Sequence, residues 1–191
     1  VRLFFKNNEL VDGEMIFKLT EAGSTSQEYF RLRGATRRFE VNGNSDDIDF
    51  VVYSDAGNIL FFTDASSDNI GIGTNAPDAP LHVKSAGNDT TILLESTDTD
   101  ANAGPVLELY RNTGSSGEDG NLLGKILFSG QHDGSVSGSP AKHDFGEIVM
   151  YLNDETENNE DGEMLFRLTE SGSTSQEYMR LRGGSRQVEI N

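Results

Sequence analysis

From Asp12 to Asn42 the chain reads DGEMIFKLTEAGSTSQEYFRLRGATRRFEVN, and from Asp161 to Asn191 it reads DGEMLFRLTESGSTSQEYMRLRGGSRQVEIN. Within it, Tyr29-Phe30-Arg31-Leu32-Arg33 and Phe39-Glu40-Val41 alternate apolar with charged residues. That period of two marks a strand with one face buried. The two copies share 22 of 31 positions at a constant offset of 149 residues. Where they differ, apolar mostly replaces apolar, as in Phe30/Met179 and Phe39/Val188; Arg38/Gln187 is the clearest exception. Matching replacements predict one fold for both copies, with turn glycines Gly23 and Gly34 answering to Gly172 and Gly183.

A fixed repeat of this kind marks an array. Residues 1–42 read as the end of a preceding repeat and residues 43–191 as one complete 149-residue repeat. The chain lacks an initiator Met and a leader, which predicts a window cut from a longer protein.

Outward from the duplicated stretch, the same short alternation recurs. Strands are expected at 14–20, 28–33, 38–42, 48–54, 58–63, 81–84, 90–96, 106–111, 122–129, 145–153, 163–169, 177–182 and 187–191. Turn formers separate them, among them Glu21-Ala22-Gly23-Ser24, Asp55-Ala56-Gly57-Asn58, Gly114-Ser115-Ser116-Gly117 and Asp133-Gly134-Ser135. Gly130 to Lys142 has no pattern and reads as a surface loop. No eleven-residue window carries a convincing helical period, so the chain is read as all-β.

Composition narrows the function. Apolar residues make up 35% of the chain, Trp is absent and Gly reaches 21 residues. That is thin for a compact monomer and predicts an elongated body completed by other chains. A formal charge of −17 argues against a nucleic-acid groove, which needs clustered Lys and Arg. Without cysteine there is neither a disulfide nor a thiolate metal site. The longest apolar runs, Ile59–Phe62 and Ile148–Leu152, are too short to enter and span a bilayer as helices.

Catalytic patterns are missing. His82, His132 and His143 show no metal-ligand spacing. Ser135-Val136-Ser137-Gly138 does not form a nucleophile elbow. Asp98-Thr99-Asp100-Ala101-Asn102 and Glu157-Asn158-Asn159-Glu160-Asp161-Gly162 alternate or cluster oxygen ligands, but neither completes a calcium loop and both read as turns. The reading is of a non-enzyme with no cofactor and no metal.

One further motif carries more. In Asn69-Ile70-Gly71-Ile72-Gly73-Thr74, extended backbone sends Ile70 and Ile72 one way and Gly71 and Gly73 the other. A strand with bare glycines on one face admits a second backbone closely, or else softens a strand end before a turn. The first alternative suits three chains converging on an axis and makes Ile70, Gly71, Ile72 and Gly73 the candidate assembly residues. Pro77 and Pro80 then impose a non-helical crossing.

The segment NIGIGTNAPDAPLHV, 69–83, resembles the GIGT-x-x-P-x-x-x-LHV signature of bacteriophage tail-fibre and tail-spike proteins, notably marine ones; the resemblance covers residues 47–130. It implies an elongated, repetitive β-fibre, an intertwined homotrimer of β-sandwich or triple-stranded β-helix-like modules. The implied role is a structural shaft on the virion that joins it to host-receptor recognition. Its partners would be two further copies, neighbouring repeats and a host surface glycan or protein, with no nucleic acid and no membrane insertion. Bacterial surface and extracellular proteins carry the motif too, so a bacterial or archaeal extracellular filament or adhesin is the alternative. A polysaccharide-degrading spike is the third reading, though Trp is missing and Tyr numbers only five. The self-cleaving chaperone domain that often ends such fibres has no counterpart in these residues, so autoproteolysis is not carried over.

Overall fold

A computed structural model describes residues 2–6, 13–20, 27–43, 45–88, 90–101, 104–112, 117–133, 140–172 and 175–191, with side chains from residue 13 onward. It divides into two compact units, Val1–Ala103 and Gly104–Asn191. Among the described residues every regular element is a strand, so the fold is all-β.

The first unit holds two four-stranded sheets. One is a meander of β1 (Arg2–Lys6), β2 (Glu14–Leu19), β3 (Gln27–Arg33) and β4 (Arg38–Val41). The other orders β5 (Phe50–Tyr53), β6 (Ile59–Asp64), β7 (Asn69–Ile72) and β8 (Leu81–Val83), antiparallel except that β8 runs parallel to β7. The second unit is a single five-stranded meander. Its strands are β9 (Asn121–Gln131), β10 (Lys142–Asp154), β11 (Asp161–Leu168), β12 (Gln176–Arg182) and β13 (Gln187–Ile190).

The duplicated sequence folds twice in one register. Glu14 pairs with Arg33 as Glu163 pairs with Arg182, and Phe17 with Phe30 as Phe166 with Met179. Both copies carry a bulge at the same step, after Phe17 and after Phe166. Phe30 meets Val41 as Met179 meets Ile190. The closing turns match as well: Gly34 N donates to Gly13 O and Gly183 N to Gly162 O, each at 2.9 Å, and Arg37 and Arg186 share a φ of 52°. Upstream the offset changes. Lys18 pairs with Arg2 but Arg167 pairs with Glu147, so β1 takes the place of β10 through a connection four residues shorter. The extra length goes into longer β10 and β11 strands with a bulge between Leu152 and Asp154, and the register of the strands that follow survives.

Two expected strands are corrected. Residues 90–96 and 106–111 belong to no sheet, and their backbones bond to no other backbone among the described residues. Alternation makes a segment fit to be a strand, but a strand exists only where a second edge accepts its N–H and C=O groups. The loop reading of 130–142 is corrected at both ends. Gln131 pairs with Lys142, Gly130 with His143, and His132 N donates to Ala141 O at 3.1 Å, so the β9–β10 hairpin runs into that stretch. Its middle, 134–139, lies outside the described residues with Ser135–Gly138, as do the turns at 21–24 and 114–116 and the turn glycine Gly23. The Asp55–Asn58 hairpin turn forms as read, with Gly57 at φ 78° and Ser54 N donating to Asn58 O at 2.8 Å.

Candidate assembly surfaces

In the first and the five-stranded sheets, strand alternation gives two chemically opposite faces. In the first sheet Glu14, Ile16, Lys18, Glu28, Arg31, Arg33 and Glu40 share one face, while Met15, Phe17, Phe30, Leu32, Phe39 and Val41 share the other. The charged face closes on itself. Arg31 is paired with Glu28 and Glu14, Arg33 with Glu14 and Glu40, and Lys18 with Glu28. The five-stranded sheet repeats this lattice: Arg180 bridges Glu177 and Glu163, Arg182 bridges Glu163 and Glu189, and Glu147 accepts from Arg167 and Lys125. Hydrogen bonds from Arg180 hold the Glu177 carboxylate below the ordinary glutamate value, and the same bonds push the guanidinium up. Leu165 and Val149, at 1% and 2% exposure, lie on this charged face. The stems of long charged side chains can bury apolar groups in this way.

The apolar faces are open. In the first sheet Phe17 stacks on Phe30 with ring centroids 4.8 Å apart and Phe30 tilts against Phe39, yet Phe39 stays 59% exposed. In the five-stranded sheet the same face carries Ile126, Phe128, Ile148, Met150, Met164 and Phe166, and continues through Met179 and Leu181 to Val188 (62% exposed) and Ile190 (78%). In the third sheet Phe50, Val52, Phe61, Ile70, Ile72 and Leu81 share a face, and all but Phe61 are exposed. Phe62, Val149 and Leu165 are the buried hydrophobic residues among those described. The usual order, apolar inside and charged outside, is inverted.

Ile70 and Ile72 point onto the open face, while Gly71 is buried on the other. The backbone that approaches these glycines closely is the chain's own. A β-carbon on Gly71 would collide with the Thr74 carbonyl, and one on Gly73, at φ 74°, with the Lys84 carbonyl. This permits the short link from β7 to its parallel neighbour β8. Ile70 N donates to Pro80 O and Lys84 N to Ile72 O, each at 2.9 Å, and Asn69 Nδ2 donates to Pro77 O at 3.1 Å. His82 belongs to the same turn, its Nδ1 accepting from Asp78 N at 3.2 Å. His132 and His143 lie edge to face, ring centroids 6.5 Å apart.

Of the calcium-like stretches, Asp98 Oδ1 accepts from Asp100 N at 2.9 Å, and Glu157 and Asn158 lie in a turn while Asp161 and Gly162 open β11; Asn102 lies outside the described residues. Sequence reading missed Asp119, which joins Asp154 and Glu155 in a carboxylate cluster, because the register of the β9–β10 hairpin alone brings them together. A hydrogen bond with Asp119 raises the Glu155 carboxyl, and bonds from Thr156 hold Asp154 low.

No family model matches the chain, and no curated protein matches it.

Proposed function

We propose that this chain is a shaft segment of a bacteriophage tail fibre, three copies assembled about one axis and joining the virion to recognition of its host. The observation that carries the reading is the open apolar face on each of the three sheets. Faces of this extent mark interaction surfaces. The charged faces, paired within the chain, leave the apolar faces as the surfaces for other chains. Repetition supports a shaft, because two equivalent sheets present the same chemistry at two places along one sequence. The resemblance of residues 69–83 to fibre signatures supports three copies, with Ile70 and Ile72 turned toward the axis and Gly71 and Gly73 shaping the turn that holds them.

The role is mechanical: apolar faces of neighbouring chains hold the shaft, and a glycan or protein of the host surface is met beyond it. Sedimentation equilibrium tests the assembly, with an expected mass three times the 20.8 kDa of the chain. A stable monomer at high micromolar concentration overturns it. Imaging of the source separates a fibre joined to a capsid, the expected result, from a filament continuous with a cell.

A further inference from the structure

Strand β9 is the outer strand of its sheet, bonded to β10 on one side, and it runs for 11 residues. Among the described residues its other edge from Lys125 onward has no ladder partner and is flanked by Ile126, Leu127 and Phe128, all exposed. A long apolar edge of this kind is a template for one more strand. Residues 104–112 of the same chain are held beside the sheet by side chains. Leu109 occupies the space over Gly124, 3.1 Å from where a β-carbon would stand, and Arg111 Nη1 donates to Leu122 O at 2.9 Å. They stop short of forming a ladder. Residues 90–96 are different. They lie outside every sheet, with the apolar run Ile92-Leu93-Leu94 exposed by 50% or more and Glu95 directly after it.

We propose that residues 90–96 of a second copy add to the open edge of β9, antiparallel, with Glu95 opposite Lys125 and Leu93 opposite Leu127. This rests on the self-association proposed above and assigns its seam. Charge selects the register. Lys125 lies on the charged face, 3.6 Å from Glu147, and Ile126 and Phe128 lie on the apolar face. Placing Glu95 across from Lys125 sets opposite charges together and brings Leu94 to Ile126 and Ile92 to Phe128. A slip of one residue would reverse every side chain. A copy in trans is chosen because closure within one chain would run 90–96 parallel to 104–112 across the seven residues 97–103. Parallel neighbours take about a dozen or more. The chain's own shorter link, 73–80, depends on Gly71 and Gly73, whereas 97–103 contains no glycine.

The absence of cysteine makes the test direct. Chains carrying Glu95→Cys and chains carrying Lys125→Cys are mixed, refolded together and oxidised. Opposed cross-strand residues lie within disulfide reach, so a cross-linked dimer is expected from the mixture and from neither variant alone. Ser96→Cys mixed with Lys125→Cys, its side chain on the other face, should give at least tenfold less. Amide exchange at residues 91–95 should slow on assembly. Assembly by sedimentation without a cross-link overturns this seam and leaves self-association standing. A cross-link inside the doubly substituted monomer at high dilution overturns it in favour of closure in cis. No assembly at any concentration overturns both readings.

Discussion

Leu165 is 1% exposed and sits on a face otherwise built of ion pairs, with Val149 as its cross-strand partner. Truncation to Ala removes the apolar contact on which the stems of Arg and Glu lie, and the expected cost is about 2–3 kcal/mol. Val188→Ala on the open face should change monomer stability by less than about 0.5 kcal/mol. Urea denaturation of both variants measures the difference; equal losses would mean that the open face is the true core. Protonation attacks the same lattice. Glu177 is held low in the fold, so its contribution is present above the ordinary glutamate value of 4.5 and is lost as pH falls through and below it. Asp64, held low by Ser66 and Ser67, adds to that loss from its ordinary 3.8 downward. Glu155 is raised and works in the opposite sense. Thermal melts between pH 7 and pH 3 should show a falling midpoint below about 4.5 that Glu177→Gln flattens.

Between β10 and β11 four more residues separate equivalent paired positions than between β1 and β2, yet the strands that follow keep one register. Deleting residues 157–160 should therefore leave the five-stranded sheet intact. The loss comes to about 1–2 kcal/mol, mainly the bonds Asn159 makes to Asp154 and Thr156. Circular dichroism and a urea midpoint check this, and loss of the strand signal would tie the register to the loop after all. The duplicated strands were legible because each alternates cleanly and each has its partner one turn away in sequence. Leu107-Glu108-Leu109-Tyr110-Arg111 alternates just as cleanly and forms no strand, since alternation records a face and not the presence of a neighbour. Strand β1 was missed because Arg2–Lys6 has a charge only at its ends and an unbroken apolar middle. The glycines of 69–74 left two readings open in the sequence, and the backbone found against Gly71 and Gly73 is the chain's own. Asp119 was invisible for a similar reason, lying 35 positions from Asp154.

At the scale of the whole molecule, two sheets pair their charges internally and all three leave a hydrophobic face bare, so the fold is complete in hydrogen bonds before it is complete in burial. Such a chain is stable enough to hold its register alone, yet it depends on other surfaces to remove its apolar area from water. The two requirements can be separated by substitution. Val188 and Ile190 lie on the last strand, 62% and 78% exposed, and touch little of their own chain. A Val188→Asp, Ile190→Lys double variant should fold with nearly unchanged strand content and a urea midpoint within experimental scatter. In an assembly held by that face, the same variant puts two charges into a dry interface, and desolvation of an unpaired charge costs several kcal/mol. Association should then weaken at least a hundredfold, read by sedimentation at matched concentrations. Unchanged association would place Val188 and Ile190 outside the interface; loss of the monomer fold would show that the open face supports the sheet itself.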